Sequence, residues 1–293
     1  MIIASDSAAH GGLMAFSMRG SGGSKDRTGP SNRPVKEGRG RTPHGETESF
    51  AAGLGLDAEA IVFCRQVHGV AVEIVESRCA GSCTSDALIT PVPGIFPAVR
   101  TADCLPILML DPIQRIAAAV HAGWKGTVLR IAGKVVRTMV REFGTDPTDV
   151  LVSLGPAIGP CCFEVDDAVL EPFIKSYPDG ARFIMRPEGV AASVSEHLSA
   201  PTKPSAISGL AEPLPDPHPI ETLRPPHRSR RLHLAEANRY DLIAAGIPEA
   251  NIHTIDLCTA CYSDLFFSYR RDKEHTGSQI SAAGFSDGIR PAQ

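Results

Sequence analysis

The stretch LPILMLDPIQRIAAAVHAGWKGTVLRIAGKVVRTMVREFG, residues 105–144, decides the fold. It opens with two apolar runs, Leu105–Leu110 and Ile116–His121, on either side of an Asp-Pro turn. Such runs predict two buried strands joined by a tight connection. Apolar residues then recur at steps of three and four from Val128 to Phe143, before a glycine. That period predicts an amphipathic helix of about five turns that ends at the glycine.

Further strands and helices lie on both sides of this stretch. We predict strands at 61–64, 70–75, 87–90, 95–100, 151–154 and 252–257, and helices at 166–174 and 234–245. Strands and helices do not alternate regularly, and we find no internal repeat. The pattern therefore favours an α+β protein with mixed, layered sheets over a doubly wound nucleotide-binding fold.

Composition excludes several classes of protein. The chain has 293 residues, 43% of them hydrophobic, and a net charge of −4, so an extended polyanion such as nucleic acid is not expected as a partner. The longest apolar runs are too short to span a bilayer, and the N-terminus does not read as a secretory signal. Eight cysteines without such a signal predict reduced thiols in the cytoplasm rather than a disulfide framework.

Two segments have unusual composition within what we otherwise interpret as a single domain over residues 1–293. Arg19–Gly45 holds seven glycines and almost nothing apolar, and Pro201–Pro226 holds eight of the 24 prolines. Such stretches bury little surface and resist regular structure. We therefore predict flexible segments at about 19–45 and 187–231.

Three residues stand at the ends of predicted strands, each next to a glycine or a turn: His68, Cys104 and His121. Taken singly, each is explained as well by a hydrogen-bonded histidine or a packed cysteine. Together, two imidazoles and one thiolate are a three-ligand metal set with a fourth position free, the pattern of catalytic zinc. The mixed nitrogen and sulfur donors also suit copper.

Other cysteines offer a competing interpretation. Cys258 and Cys261 form a C-x-x-C pair, which is typical of redox sites or of half a zinc knuckle. Cys79 and Cys83 are the second pair that a knuckle would need. We interpret the vicinal pair at 161 and 162 as a packing feature beside a Gly-Pro turn.

Two sites with positive charge are candidates for binding an anion. Lys125 lies in a glycine-rich segment at a predicted helix N-terminus, where free N–H groups attract anions. The alternative there is an ordinary exposed lysine. Arg270 and Arg271 follow aromatic residues, and together they form a cationic pair that could orient a planar or phosphorylated ligand. The alternative for this segment is a strand with a charged exit.

Several motifs occur in an order that resembles a known family. They are Gln66-Val67-His68-Gly69, Ser85-Asp86-Ala87-Leu88, Thr101-Ala102-Asp103-Cys104-Leu105-Pro106, Ala119-Val120-His121-Ala122-Gly123-Trp124, Gly155-Pro156-Ala157-Ile158-Gly159-Pro160 and Phe266–Asp272. Together they resemble the laccase-domain purine nucleoside phosphorylase family, also described as multicopper polyphenol oxidase or peptidoglycan editing factor. The resemblance covers roughly residues 61–185 and 232–280.

The resemblance implies a layered α/β/β/α domain with a metal held by His68, Cys104 and His121. It also implies phosphorolysis of adenosine, inosine, guanosine and S-methyl-5′-thioadenosine, and deamination of adenosine. One departure is that the family's Thr-Gly-Arg-Gln ending reads Thr276-Gly277-Ser278-Gln279.

The expected chemistry assigns roles by residue type. Zinc, or alternatively copper, would activate water for deamination. Lys125, Arg270 or Arg271 would hold phosphate for phosphorolysis, with Asp103 as an acid/base group. Three alternatives stay open: a copper oxidase of phenols, an amidase of muramyl-peptide precursors with Cys104 as nucleophile, and a metal- or partner-binding protein without catalysis.

Overall fold

The computed structural model describes residues 2–4, 11–19, 44–78, 83–177, 180–185, 207–208 and 230–286. Its strands are β1 Ile2–Ala4, β2 Gly12–Phe16, β3 Ile61–Val62, β4 Val72–Ile74, β5 Ala87–Thr90, β6 Phe96–Thr101, β7 Leu105–Asp111, β8 Ile116–Ala122, β9 Leu151–Leu154, β10 Glu164–Val165, β11 Ile184–Met185, β12 Ile207–Ser208, β13 Arg230–Leu232, β14 Ile252–Thr254 and β15 Gln279–Phe285. Its α-helices are α1 His44–Gly53, α2 Trp124–Val128, α3 Ile131–Phe143, α4 Asp167–Ser176, α5 Leu234–Ala244 and α6 Tyr269–Asp272.

These strands form two six-stranded sheets and one small sheet. The first large sheet has the order β12-β1-β2-β15-β6-β3, and the second has the order β14-β9-β7-β8-β5-β4. Both sheets are mixed, because β3 pairs with β6, β4 with β5 and β14 with β9 in parallel while the other neighbours are antiparallel. The third sheet, β10-β13-β11, is antiparallel.

The two large sheets pack face to face. Phe16, Val99 and Phe285 of the first sheet meet Leu108 and Ala119 of the second in one buried cluster. Helix α1 covers the outer face of the first sheet, and helices α3 and α5 cover that of the second. The molecule is thus a layered α/β/β/α sandwich with mixed sheets, and the predicted α+β class is confirmed.

The helix predicted from Val128 to Phe143 begins later than its period indicated. Arg130 has a left-handed backbone with φ of 61°, so α2 ends before it and α3 begins after it. Tertiary contacts hold this break, because the Arg130 guanidinium donates to the carbonyl oxygen of Ser176 and lies 3.5 Å from the Tyr177 ring centre. The predicted stop is confirmed, with Gly144 at φ of 69° as the C-cap.

Two further expectations need correction. The segment that begins at 266 contains helix α6 rather than a strand. The two segments predicted to lack regular structure contain parts of three elements: β12 pairs with β1 at the edge of the first sheet, Arg230 and Arg231 belong to the middle strand of the small sheet, and helix α1 begins at His44. Most of 19–45 and 187–231 lies outside the described residues, so their flexibility stays a prediction.

The expectation that all cysteines are reduced is also wrong for one pair. Cys64 and Cys83 form a disulfide, with their Cα atoms 5.1 Å apart. A cytoplasmic location stays a prediction. Among the described residues, none of the helices has the length and apolar character that crossing a bilayer demands.

Candidate metal centre and active site

His68 lies in the loop between β3 and β4, and a buried carboxylate shapes that loop. The backbone N–H groups of Val67, His68 and Gly69 donate to the two oxygens of Asp86 at 3.2, 2.9 and 2.7 Å. His68 itself has a positive φ of 59°. Three donors wrapped around one carboxylate over-determine this unusual backbone, so the point at which the His68 side chain leaves the loop is fixed.

Cys104 follows a strained residue between β6 and β7. Asp103 has φ of 92°, and its carbonyl oxygen accepts the N–H of Ile158 at 2.9 Å. Its carboxylate accepts the hydroxyl of Thr259 at 2.7 Å and the backbone N–H of Arg270 at 2.5 Å. Asp103 thus links three separate chain segments at the turn that positions the Cys104 thiol.

His121 is near the end of β8, opposite Pro106 of β7, and is 3% exposed. Its Nδ1 lies 2.7 Å from Asp86 Oδ1. Because a carboxylate accepts hydrogen bonds, Nδ1 carries a proton, and Nε2 is the nitrogen that would bind a ligand. Asp86 therefore orients one histidine through its ring and the other through its backbone.

The structure brings the three predicted ligands together. Their donor atoms all lie within 4.8 Å of one another, and Cys104 Sγ is 3.9 Å from His68 Nε2. Gly123 lines the same spot, and a Cβ added there would be 3.0 Å from His68 Cδ2 and 3.1 Å from Cys104 Sγ. A glycine is needed because any side chain would crowd the donors.

Burial and hydrogen bonding have opposite effects on the pKa values of Cys104, His121 and Asp86. Burial alone would raise the pKa of Cys104, but hydrogen bonds from His121 and His68 lower it to about 7. Burial would lower the pKa of His121, but hydrogen bonds to Asp86 and Cys104 raise it to about 9. Burial would raise the pKa of Asp86 too, yet the hydrogen bond from His121 and those from the loop lower it. The centre thus brings the pKa of the Cys104 thiol close to neutral pH, so thiolate is far more populated there than for an ordinary cysteine.

The residues present fit a transition-metal ion. Two imidazoles and a thiolate are the donors that zinc and copper prefer, and a carboxylate behind one histidine is the usual support of such a ligand. His68, Cys104 and His121 are the residues that would hold the ion.

A cavity of about 400 Å³ opens beside these donors, a volume in the range of small-molecule sites. All three donors contribute to its wall, and further lining residues are Gln66, Arg100, Asp103, Phe163, Tyr269, Arg270 and Thr276. The cavity thus combines a metal-ligand set, two aromatic residues and two arginines, of which Arg100 has its guanidinium ion-paired with Glu46.

Of the three residues predicted to bind an anion, Lys125, Arg270 and Arg271, one lines the cavity and two do not. Arg270 lines the cavity, and its guanidinium donates to the Glu164 carbonyl oxygen at 3.0 Å. Arg271 instead donates to the carbonyl oxygens of Thr259, Ala260 and Phe266, so it holds the chain together. Lys125 is exposed and is not among the residues that line the cavity.

Sequence reasoning missed two important residues. Asp86 was quoted within a motif but received no role, although a buried acid next to a strand is itself a signal. Arg100 has no predicted role beyond its place at the end of the strand predicted at 95–100. In the structure its backbone N–H and carbonyl pair with the Gln66 amide at 2.8 Å, and its guanidinium donates to Glu46 and Thr47. This pairing fastens the His68 loop to β6.

The hypothesis that Cys79 and Cys83 would complete a zinc knuckle with Cys258 and Cys261 is also wrong. Cys83 is bonded to Cys64, and Cys79 lies outside the described residues. The neighbours of Cys258 and Cys261 are instead Cys161 and Cys162, and the four sulfur atoms lie within 4.8 Å of one another.

Fold and site together define a layered α+β protein with a candidate two-histidine, one-cysteine centre in a small-molecule cavity. The chain belongs to the family described as multi-copper polyphenol oxidoreductase laccase, whose model matches residues 14–200 and 211–286.

Several relatives carry names that concern nucleosides. The chain is 31% identical over 244 residues to purine nucleoside phosphorylase YlmD of Geobacillus stearothermophilus, covering 80% of this chain and 76% of that one. It is 33% identical over 232 residues to adenosine deaminase RL5 of an unknown prokaryotic organism, covering 76% and 74%. These names support an enzyme of purine nucleoside metabolism.

The fold is similar to two solved bacterial structures. The crystal structure of YlmD from Geobacillus stearothermophilus aligns with a TM-score of 0.70 at 28% identity, over 94% of this chain and 93% of that one. The hypothetical protein YfiH of Bacillus licheniformis aligns with a TM-score of 0.69 at 26% identity, with the same coverage.

Proposed function

We propose that this protein is a metal-dependent purine nucleoside enzyme. Its reactions are phosphorolysis of adenosine, inosine, guanosine and S-methyl-5′-thioadenosine, and deamination of adenosine. The observation that carries the proposal is the convergence of His68, Cys104 and His121 on one wall of the cavity. The names of the relatives supply the substrate class.

Zinc is the proposed metal, and copper is the alternative that the same donors accept. When bound, the ion supplies Lewis-acid polarisation and activation of water. The protein's part is to hold the ligands in place. Asp86 orients the His121 imidazole through Nδ1, and it holds the backbone that carries His68 through the loop N–H groups, before any ligand arrives.

The remaining cavity residues suit a nucleoside and an anion. Phe163 and Tyr269 present rings on which a purine can stack, and Tyr269 is 54% exposed. In phosphorolysis, a phosphate oxygen bonds to C1′ of the ribose while the C1′–N9 bond breaks and the purine takes up a proton. The proposed cation for holding that phosphate is Arg270, which lines the cavity, since the guanidinium of Arg100 is already ion-paired with Glu46.

In deamination, an oxygen from water bonds to C6 of adenine and ammonia leaves, so no phosphate is required. Asp103 is the proposed acid/base group for these proton movements. Its carboxylate already accepts hydrogen bonds from Thr259 and Arg270, so it also holds the wall of the cavity in place.

The direct test is to incubate zinc-loaded protein with adenosine, with and without phosphate, and to identify the products. Adenine that forms only with phosphate shows phosphorolysis, and inosine that forms without phosphate shows deamination. No turnover of adenosine, inosine, guanosine or methylthioadenosine by fully metal-loaded protein would reject the proposal and favour a binding protein.

One observation favours a second candidate, a cysteine amidase of muramyl peptides. Cys104 Sγ lies 3.9 Å from His68 Nε2, which is the arrangement of a thiol nucleophile and its base. The variant Cys104→Ser separates the two functions. A metal enzyme loses zinc with the thiolate, whereas an amidase keeps its metal content and traps an acyl-enzyme with a muramyl-peptide substrate.

The family name also raises phenol oxidation by copper. Metal analysis after chelation and separate reloading with zinc or copper distinguishes this activity. An oxidase consumes oxygen with a phenol only when copper is loaded.

A further inference from the structure

Two turns from distant parts of the chain meet behind the cavity, and each supplies two cysteines. One turn follows Gly159, whose carbonyl oxygen accepts the N–H groups of Cys162 and Phe163. The other is the C-x-x-C turn, in which the N–H of Cys261 donates to the carbonyl oxygen of Cys258. A β-bridge between Ala157 and Cys258 fixes the two turns side by side.

The spacing of the four sulfur atoms suits one metal ion. Cys261 Sγ lies 3.5 Å from both Cys161 Sγ and Cys162 Sγ, and all four sulfurs lie within 4.8 Å of one another. A zinc ion bound to four thiolates at 2.3 Å has sulfurs about 3.8 Å apart along each edge of the tetrahedron. The observed distances bracket that value. They also exceed an S–S bond of about 2.05 Å, so these thiols are not joined as disulfides.

A neighbouring backbone N–H group favours a thiolate here. The backbone N–H of Gly159 donates to Cys258 Sγ at 3.3 Å. The Arg271 guanidinium donates to the carbonyl oxygens of Thr259 and Ala260, both inside the C-x-x-C turn, and so fixes the shape of that turn. Its charge is paired with Asp272, so it holds the backbone and does not neutralise the sulfurs. Simple packing of four apolar cysteines does not need an N–H donor aimed at a sulfur.

We propose that Cys161, Cys162, Cys258 and Cys261 bind a second metal ion, a zinc ion held by four thiolates. Four protein ligands leave no position for substrate, which is the arrangement of a structural rather than a catalytic zinc site. This site does not depend on the function proposed above.

The site would brace the wall of the cavity. Thr259 stands between two of the cysteines and donates to Asp103, and the N–H of Ile158 in the other turn donates to the Asp103 carbonyl oxygen. Asp103 precedes the Cys104 ligand. A metal that ties the two turns together therefore fixes the residue that positions the candidate active site.

The test counts metal ions. Protein purified without chelators is analysed by native and elemental mass spectrometry, and we expect two zinc ions per chain. The double variant Cys258→Ser/Cys261→Ser should hold one, and His121→Ala should also hold one. The matched control Cys64→Ala/Cys83→Ala removes two cysteines elsewhere and should still hold two.

Cobalt substitution gives a second measurement that keeps all four cysteines in place. His121→Ala protein loaded with cobalt(II) should show the intense thiolate charge-transfer bands of a tetrahedral four-sulfur site. This result decides the matter if the double serine variant does not fold.

Two results would overturn the proposal. One is a cobalt-loaded His121→Ala protein without those bands. The other is a Cys258→Ser/Cys261→Ser variant whose zinc content equals that of the wild type. Neither bears on whether the three-ligand centre turns over nucleosides.

Discussion

Asp86 Oδ1 lies 2.7 Å from His121 Nδ1, and both side chains are buried. The same carboxylate accepts the N–H groups of the loop that carries His68. One acidic side chain thus positions two of the three candidate metal ligands, although it contacts them in different ways.

Asp86→Asn should weaken zinc binding by about 10–100-fold, because an amide cannot replace the carboxylate behind His121. Competition with a chromogenic chelator measures the affinity. Asp111→Asn is the matched control, since Asp111 is also a buried acid that accepts two backbone N–H groups. It ends strand β7, whereas Cys104 directly precedes the start of that strand, so Asp111 is remote from the metal ligands. Equal zinc affinities in the two variants would show that Asp86 does not support the metal.

Gly123→Ala should reduce zinc affinity by about tenfold or more, because the added methyl group would stand 3.0 Å from the His68 ring and 3.1 Å from the Cys104 sulfur. Gly45→Ala serves as the control, since a Cβ there meets nothing within 4 Å. That change in helix α1 should leave zinc affinity unchanged. Zinc affinity at the wild-type level in Gly123→Ala would contradict the crowding argument.

The Cys104 thiol should be reactive at neutral pH once metal is removed. Burial opposes ionisation, but the hydrogen bonds from His121 and His68 lower its pKa to about 7, against an ordinary value of 9.0. Since only the thiolate is alkylated, the rate at the Cys104 peptide should rise with pH to a midpoint near 7. His121→Ala should move that midpoint upward. A wild-type midpoint near 9 would contradict the geometry of the centre.

Arg270→Ala should slow phosphorolysis about tenfold or more at low phosphate, with deamination largely unaffected, because only phosphorolysis uses the anion. Lys125→Ala is the comparison, and we expect little change because Lys125 does not line the cavity. The measurement is initial rates of adenine and inosine formation across phosphate concentrations. A larger loss in Lys125→Ala would move the anion site to the helix N-terminus.

Much of the second sheet is predictable from the sequence. Strands β5 and β9 match the predicted ranges, and β7 and β8 extend one residue further, because their apolar runs are continuous and bounded by turn residues. Strand β4 of this sheet and strand β3 of the first sheet are shorter than predicted. The backbone donors of the loop between them are taken by Asp86 rather than by a neighbouring strand.

The first sheet was harder to predict. Strands β2 and β15 read GLMAF and QISAAGF, in which small residues hide the apolar pattern. The structure shows why those residues are small, because a Cβ on Gly284 would stand 2.4 Å from the Phe96 ring. Close packing against Phe96, rather than local β-propensity, requires a glycine at position 284.

Contacts between residues far apart in the sequence explain why the role of Asp86 and the clustering of the four cysteines could not be predicted. The three predicted ligands were recognisable as strand-end residues, and a motif resemblance linked them. Asp86 has a weak local signal, as an acid directly before a strand, but its partner His121 lies 35 residues further along the sequence, and Cys261 lies 100 residues from Cys161, so neither pairing is visible locally.

The most direct test of the central claim measures metal content and product formation together in His121→Ala. Removal of one of three ligands should abolish zinc at this centre, and formation of adenine and inosine from adenosine should fall with it. His253→Ala, a histidine on strand β14, should retain both. A His121→Ala protein that lacks zinc at this centre, yet forms either product at the wild-type rate, would contradict the account.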